Sequence, residues 1–180
     1  MRVVSGKSKG HKLISPEGLD VRPTLERVKE SVFSALLPYI DGAVVLDLFS
    51  GSGALGIEAL SRGAEKCDFV DSSRHSIKAT KENLRFTKLE HLASVHFSDW
   101  KRYISFCKEK YDVVFLDPPY SKGIENEVML VLSEHLKDDG IVVLETEQKP
   151  CDYQGFELVR QAKYGRVFVS FYKKTKNNEV

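Results

Sequence analysis

Asp117-Pro118-Pro119-Tyr120 follows the apolar run Val113-Val114-Phe115-Leu116, and this tetrad has the chemistry of a receptor for a planar amino group. A carboxylate accepts one N–H of such an amine and offers no donor of its own. The carbonyl of Pro118, a residue without an N–H, can accept the other. Two prolines hold that geometry rigid, and Tyr120 offers a flat face to a base taken out of its stack. The chemistry indicated is methylation of an exocyclic nitrogen. In isolation the tetrad reads equally well as a strand closing on a Pro-Pro turn, so its partner upstream carries the decision.

That partner is Val44-Val45-Leu46-Asp47-Leu48-Phe49-Ser50-Gly51-Ser52-Gly53-Ala54-Leu55-Gly56, a buried-strand run that breaks into a glycine loop and enters a helical stretch. Gly51 and Gly53 allow a tight turn and close approach to a nucleotide-like ligand, and Gly56 lies where a helix can pack near the strand. The spacing also fits a dinucleotide fingerprint, with Asp71 at about the distance of a ribose-holding acid. Asp47 argues against a pyrophosphate, which a carboxylate at the mouth of the loop repels. It favours the ammonium and sulfonium of S-adenosylmethionine.

These residues need a sheet to hold them, and the chain supplies one. Helix-period and strand-period segments alternate, the pattern of a mostly parallel sheet covered on both faces. Strands are expected at 44–49, 67–70, 94–97, 113–116 and 140–145. Two further runs, 156–160 and 166–172, should form an antiparallel edge pair. A helix opening at Pro23-Thr24 and ending at Pro38 precedes them, leaving Arg22, Arg27 and Lys29 available beside the pocket or a nucleic acid. Successive strands end in Asp47, Asp71, Asp99 and Asp117, which should line one crevice beyond the carboxyl ends of the sheet. Asp47 would face the amino-acid end of the cofactor, Asp71 the ribose hydroxyls and Asp99 the adenine amine. Trp100 covers the adenine or starts a helix in the core. Thr24, Phe49 and Ser72 complete the expected cofactor shell.

With 180 residues, 42% of them hydrophobic, the chain can bury one sizeable core. Cys67, Cys107 and Cys151 are odd in number and widely separated, which indicates neither a disulfide framework nor a metal knuckle. No apolar run reaches the length of a signal peptide or a bilayer span, so a cytoplasmic protein is expected. Net charge is only +1, yet residues 1–40 hold seven Lys or Arg against four Asp or Glu. Arg2, Lys7, Lys9, His11 and Lys12 form a run free of acids, patterned as a small hairpin, that can neutralise RNA phosphates. With Arg22 and Arg27 they make the expected RNA contact of an N-terminal extension, 1–40, ahead of a catalytic domain, 41–180. The later run Lys173-Lys174-Thr175-Lys176 reads as a frayed tail.

Asp47-Leu48-Phe49-Ser50-Gly51-Ser52-Gly53, Asp117-Pro118-Pro119-Tyr120, and Arg2-Val3-Val4-Ser5-Gly6 with Arg22-Pro23-Thr24 and Arg27-Val28-Lys29-Glu30 resemble the bacterial RsmD family over nearly the whole chain. The resemblance implies an α/β, Rossmann-like class I S-adenosylmethionine-dependent methyltransferase: a seven-stranded mostly parallel sheet, an antiparallel edge pair and a small N-terminal hairpin and helix. It implies methyl transfer to the N2 of a guanine in 16S rRNA, with 30S subunits or their assembly intermediates as partners. Asp117, Pro118 and Tyr120 take the target-base roles, and Asp47, Gly51, Gly53, Asp71 and Asp99 the cofactor roles. His11 stands where an arginine is usual, and Asp71 where glutamate is common. A monomer without a metal is expected. Two alternatives stay open: a DNA adenine-N6 methyltransferase, and a non-enzymatic RNA-binding protein of ribosome assembly.

Overall fold

Val44–Leu48 (β1) is buried along its whole length, and Tyr111–Leu116 (β4) nearly so. Near-continuous apolar runs of this kind pair only inside a sheet covered on both faces. The computed structural model describes residues 1–15, 23–119 and 123–175, without the side chains of 23–25. Arg22, Tyr120 and the tail from Lys176 therefore lie outside the described residues, as does the side chain of Thr24.

The remaining strands are Lys66–Asp71 (β2), Ala93–Phe97 (β3), Leu136–Thr146 (β5), Phe156–Tyr164 (β6) and Val167–Lys174 (β7). They form one seven-stranded sheet in the order β3-β2-β1-β4-β5-β7-β6. β1 to β5 run parallel, whereas β7 is antiparallel to both β5 and β6. Chain order reverses between β1 and β4, which opens a crevice at their carboxyl ends. Six α-helices are described: Pro23–Ala35 (α1), Leu37–Ile40 (α2), Ala54–Ser61 (α3), Arg74–Thr87 (α4), Trp100–Phe106 (α5) and Ile124–Leu132 (α6). Alternate strand residues feed two cores. Val45, Phe69, Val113, Phe115 and Val143 pack with Val32 and Phe33 of α1, Ile57 of α3 and Leu84 of α4. Leu46, Val114, Leu116 and Leu144 pack with Ile104 of α5 and Met129 of α6.

Gly56 brings α3 onto the sheet. A Cβ there would stand 2.3 Å from the Phe69 ring and 2.7 Å from Cys67 Sγ. Gly56→Ala should thus cost about 1–3 kcal/mol through overpacking, read as a lower urea midpoint at constant m-value. An unchanged midpoint would show that α3 can lift away.

The N-terminal segment pairs on itself through an Arg2–Lys12 bridge, with Val3 N–H donating to the His11 carbonyl and Gly10 N–H to the Val3 carbonyl. It is built into the body of the protein, with Val3 and Leu13 in the core of α1 and α3. Glu58 of α3, fully buried, accepts from the backbone N–H of Val4 at 2.8 Å and of Ser5 at 3.0 Å. The same carboxylate pairs with Lys29 at 3.0 Å and Arg62 at 2.7 Å. Gly6 must be glycine, since a Cβ would stand 1.8 Å from the Ser61 carbonyl oxygen.

Several expectations need correction. Lys29 is not available to a ligand; it is buried against Glu58 and also donates to the Arg2 carbonyl. α1 ends at Ala35 rather than at Pro38, which sits in the first turn of α2, where its missing N–H costs nothing. β5 begins at Leu136, four residues before its apolar run, because a bulge between the Tyr111 and Val113 pairings accommodates polar residues. α6 has no counterpart in the sequence reading. Lys173 and Lys174 belong to β7 rather than to a frayed tail. Among the described residues no helix is long and apolar enough to cross a membrane.

Candidate active site

The loop from β1 into α3 turns through positive φ at Phe49 (73°), Gly51 (55°) and Gly53 (74°). Such a conformation is uncommon for a bulky non-glycine residue and costs on the order of 1–3 kcal/mol, so surrounding bonds must impose it on Phe49. They do. The N–H groups of Phe49 and Ser50 both donate to the Val70 carbonyl at 3.0 Å. Gly51 N–H donates to Asp71 Oδ2 at 2.9 Å, and Ser73 N–H to Asp71 Oδ1 at 2.7 Å. From α4, Thr80 Oγ1 donates to the Gly51 carbonyl at 3.0 Å and Asn83 Nδ2 to the Ser52 carbonyl at 2.9 Å. The loop is thereby pre-organised before any ligand arrives. Around Gly51 a Cβ would meet nothing within 4 Å, so its backbone faces open space into which a ligand can come close. The Ser50 hydroxyl is buried without a partner among the described residues.

Three carboxylates gather at the reversal of strand order. Asp47 lies on β1 opposite Phe115 of β4, and Leu116 pairs with Leu144, so Asp117 and Glu145 follow on neighbouring strands. Asp47 is buried and accepts from Gly56 N–H at 2.9 Å. Burial above all, then the charges of Asp117 and Asp71, push its carboxyl up to about 8 against the Gly56 hydrogen bond. Burial likewise raises Asp117, although an open face still meets solvent and tempers the effect. Glu145 is raised by burial and by the charges of Asp117 and Asp47. Burial and mutual charge both favour a proton on this group near neutrality. A cation in their midst would displace that proton, and this is the specific respect in which the residues fit the ammonium and sulfonium of S-adenosylmethionine.

A pH dependence follows. A carboxyl raised in the folded state stabilises the protein fully below its unfolded value near 3.8, and that contribution is lost as pH rises through about 8. Asp47→Asn should therefore make the unliganded protein more resistant to urea above pH 8. Wild-type affinity for S-adenosylmethionine should strengthen from about pH 6 to 7.5, below the titration of the ligand's own ammonium, while that of the variant stays weak and flat. Parallel profiles for the two proteins would contradict the role of Asp47.

Other predicted residues fall as follows. Asp99 caps α5 through Lys101 N–H at 2.9 Å and is exposed beside Ser98, whose N–H bonds the Asp71 carbonyl. Trp100 starts α5 and packs partly buried on the core. Ser72 is exposed between Asp71 and the α4 cap. Pro118 is buried. Lys7, Lys9, Lys12 and Arg27 are exposed, Arg2 pairs with Glu26 at 3.2 Å, and His11 lies edge-on to Phe86 with ring centroids 5.5 Å apart. The sequence reading missed Glu145, although it ends a strand as Asp47 and Asp117 do. It also missed the polar stripe Ser76, Thr80, Asn83 and Thr87 on the buried face of α4, whose helical spacing was visible. Asn83 bonds both ways to Ile14 and so joins the N-terminal arm to the glycine loop.

Residues 1–173 match the family model described as conserved hypothetical protein 95. The chain is 39% identical to YlbH of Bacillus subtilis over 182 residues, covering 97% of this chain and 99% of that protein. It is 32% identical over 187 residues to the ribosomal RNA small subunit methyltransferase D of Escherichia coli, covering 99% and 92%. Among solved structures, yhhF of Escherichia coli superposes with a TM-score of 0.87 at 32% identity, covering 97% of each chain. Similarity of this depth spans the glycine loop, the Asp-Pro-Pro strand end and the N-terminal arm alike, and the chain belongs to the RsmD family.

Proposed function

We propose that this protein transfers a methyl group from S-adenosylmethionine to the exocyclic N2 amine of a guanine in 16S rRNA, within assembled or partly assembled 30S subunits. The observation that carries the reading is the adjacency of a pre-organised glycine loop on β1 to Asp117-Pro118-Pro119 on β4 at the reversal of strand order. The names of the family's ribosomal RNA methyltransferases support the substrate class.

The residues divide between donor and acceptor. Asp47, Phe49, Gly51, Gly53, Asp71 and Ser72 would hold the cofactor, with Thr24, Asp99 and Trp100 at its periphery. When bound, S-adenosylmethionine supplies an electrophilic methyl on a sulfonium. Asp117 and the Pro118 carbonyl accept the two N–H bonds of the target amine, aim its nitrogen and raise its electron density. Tyr120 stacks on the base. The amine becomes far more acidic as the new bond forms, so Asp117, already raised and partly solvated, or water can take the proton. Arg2, Lys7, Lys9, His11, Lys12, Arg22 and Arg27 of the 1–40 extension contact RNA phosphates, leaving 41–180 as the catalytic unit of a monomer.

Asp71 gives a separate check. Its two oxygens hold Gly51 and Ser73, and a carboxylate keeps lone pairs for ribose hydroxyls besides. Asp71→Ala should weaken S-adenosylhomocysteine binding at least about tenfold by calorimetry, the loss of one or two charge-assisted bonds. Unchanged affinity would remove the assignment. The function itself is tested with methyl-labelled S-adenosylmethionine and small subunits from a strain lacking the protein. Label should enter RNA; label in ribosomal protein, in DNA or nowhere would contradict the reading.

A further inference from the structure

The outward face of α4 is unlike the rest of the catalytic unit. Residues 41–180 carry twenty Lys or Arg against twenty-two Asp or Glu, yet α4 places Arg74, Lys78, Lys81 and Arg85 at the spacing of one helical stripe, with Glu82 as its one acid. All four cations are exposed. Only Lys78 approaches Glu82, at 3.9 Å, and among the described residues no acid pairs with Lys81 or Arg85. An ordinary solvated face intersperses both signs along its length.

Shape adds a second observation. The stripe borders a groove of about 440 Å³ whose wall includes Ile77 and Phe97, the latter 55% exposed at the end of the edge strand β3. The Arg74 guanidinium lies over the Phe97 ring, 5.4 Å from its centroid. Cations around an accessible aromatic ring are what a nucleic-acid strand engages, through its phosphates and the face of a base.

Position adds a third. The carboxyl end of α4 is bonded to the basic arm, with Ser8 Oγ donating to the Thr87 carbonyl at 2.9 Å and His11 against Phe86. Its amino end adjoins Asp71 through Ser73 at the rim of the site. Its buried side fixes the glycine loop, so the helix is a rigid platform. From Arg74 to Arg85 the stripe spans about 16 Å at 1.5 Å per residue.

We propose that the outer face of α4, with Phe97, is a second RNA-docking surface that continues the basic arm toward the active site and holds phosphates of the same rRNA substrate. The inference rests on the methyltransferase reading above and adds the surface by which the RNA is tracked.

The test uses the full-length protein with Lys78→Gln, Lys81→Gln and Arg85→Gln combined, and rRNA extracted from small subunits of a strain lacking it. Removing three phosphate contacts should reduce the slope of log affinity against log salt by about 2 and weaken binding at least about tenfold at low salt. S-adenosylhomocysteine affinity and the urea midpoint should not move, and KM for subunits should rise with kcat held. Phe97→Ala should weaken binding roughly fivefold or more without changing the slope, the signature of lost stacking. A triple variant with wild-type slope and affinity, while the wild-type protein binds and methylates rRNA, overturns this proposal alone. Weaker binding to particles with unchanged binding to extracted rRNA overturns it in favour of a ribosomal-protein contact. Failure of the wild-type protein to bind extracted rRNA while it still methylates small subunits overturns this proposal alone; failure to methylate either overturns the proposed function as well.

Discussion

Asp117→Ala should lower methyl transfer by at least about 10²–10³-fold, the scale of losing one preorganised polar contact to reacting atoms. Cofactor affinity should hold or improve slightly. Asp117 is the acceptor for the target amine, and its charge helps to raise the neighbouring Asp47 carboxyl. Removing it takes away an amine acceptor and lets Asp47 ionise more readily toward a cationic ligand. Asp117→Asn is the sharper variant. Its amide is nearly isosteric and its carbonyl oxygen can still accept one amine N–H, but it carries no charge and cannot take up the proton, so it should fall between wild type and alanine. Loss of S-adenosylmethionine binding by calorimetry in either variant would place Asp117 in the cofactor site instead. Turnover in Asp117→Asn as low as in Asp117→Ala would mean that the amine needs the negative charge and not merely an acceptor oxygen.

The largest expected effect on stability belongs to Glu58→Ala, at about 3–5 kcal/mol. Glu58 is fully buried beside Lys29, which is 2% exposed, and burial already lowers the Lys29 pKa against the opposing pull of Glu58. Without the carboxylate Lys29 is left as an unpaired buried ammonium, or must shed its proton. The Val4 and Ser5 N–H groups lose their acceptor at the same time, so the basic arm should loosen from α3. Urea unfolding measures the first consequence, and faster amide exchange at Val4 and Ser5 the second. Lys29→Met in the Glu58→Ala background should recover part of the loss, because an apolar side chain of similar length leaves no buried charge. A cost below about 1 kcal/mol would show that water reaches the pair.

Much of this architecture was legible in the sequence. The parallel strands announced themselves as apolar runs. Gly56 was read as letting a helix pack near its own strand, whereas the close neighbours it spares are Phe69 and Cys67 of β2. Gly51 and Asp71 were each read as facing a ligand. Their mutual hydrogen bond was not foreseen, because residues twenty apart meet only through the pairing of β1 with β2. β5 was read short because Lys137, Asp138 and Asp139 carry no strand signal, and only the bulge beside β4 reveals their place. Lys29 was read as available beside the pocket or the nucleic acid, away from the apolar face of its helix. Its burial depends on Glu58, an acid on another helix whose apolar neighbours gave no hint of it. Glu145 needed the register of β4 with β5 to join the acidic group at the site.

The central claim is methyl transfer to a guanine amine of small-subunit RNA, and mass spectrometry of nucleosides tests it most directly. Small subunits from a strain lacking the protein are incubated with the purified protein and S-adenosylmethionine, and their RNA is digested to nucleosides. The account predicts the appearance of N2-methylguanosine, lost when Asp117→Ala is used instead. No methylated nucleoside in that RNA, with N6-methyladenine formed in DNA under the same conditions, would contradict it.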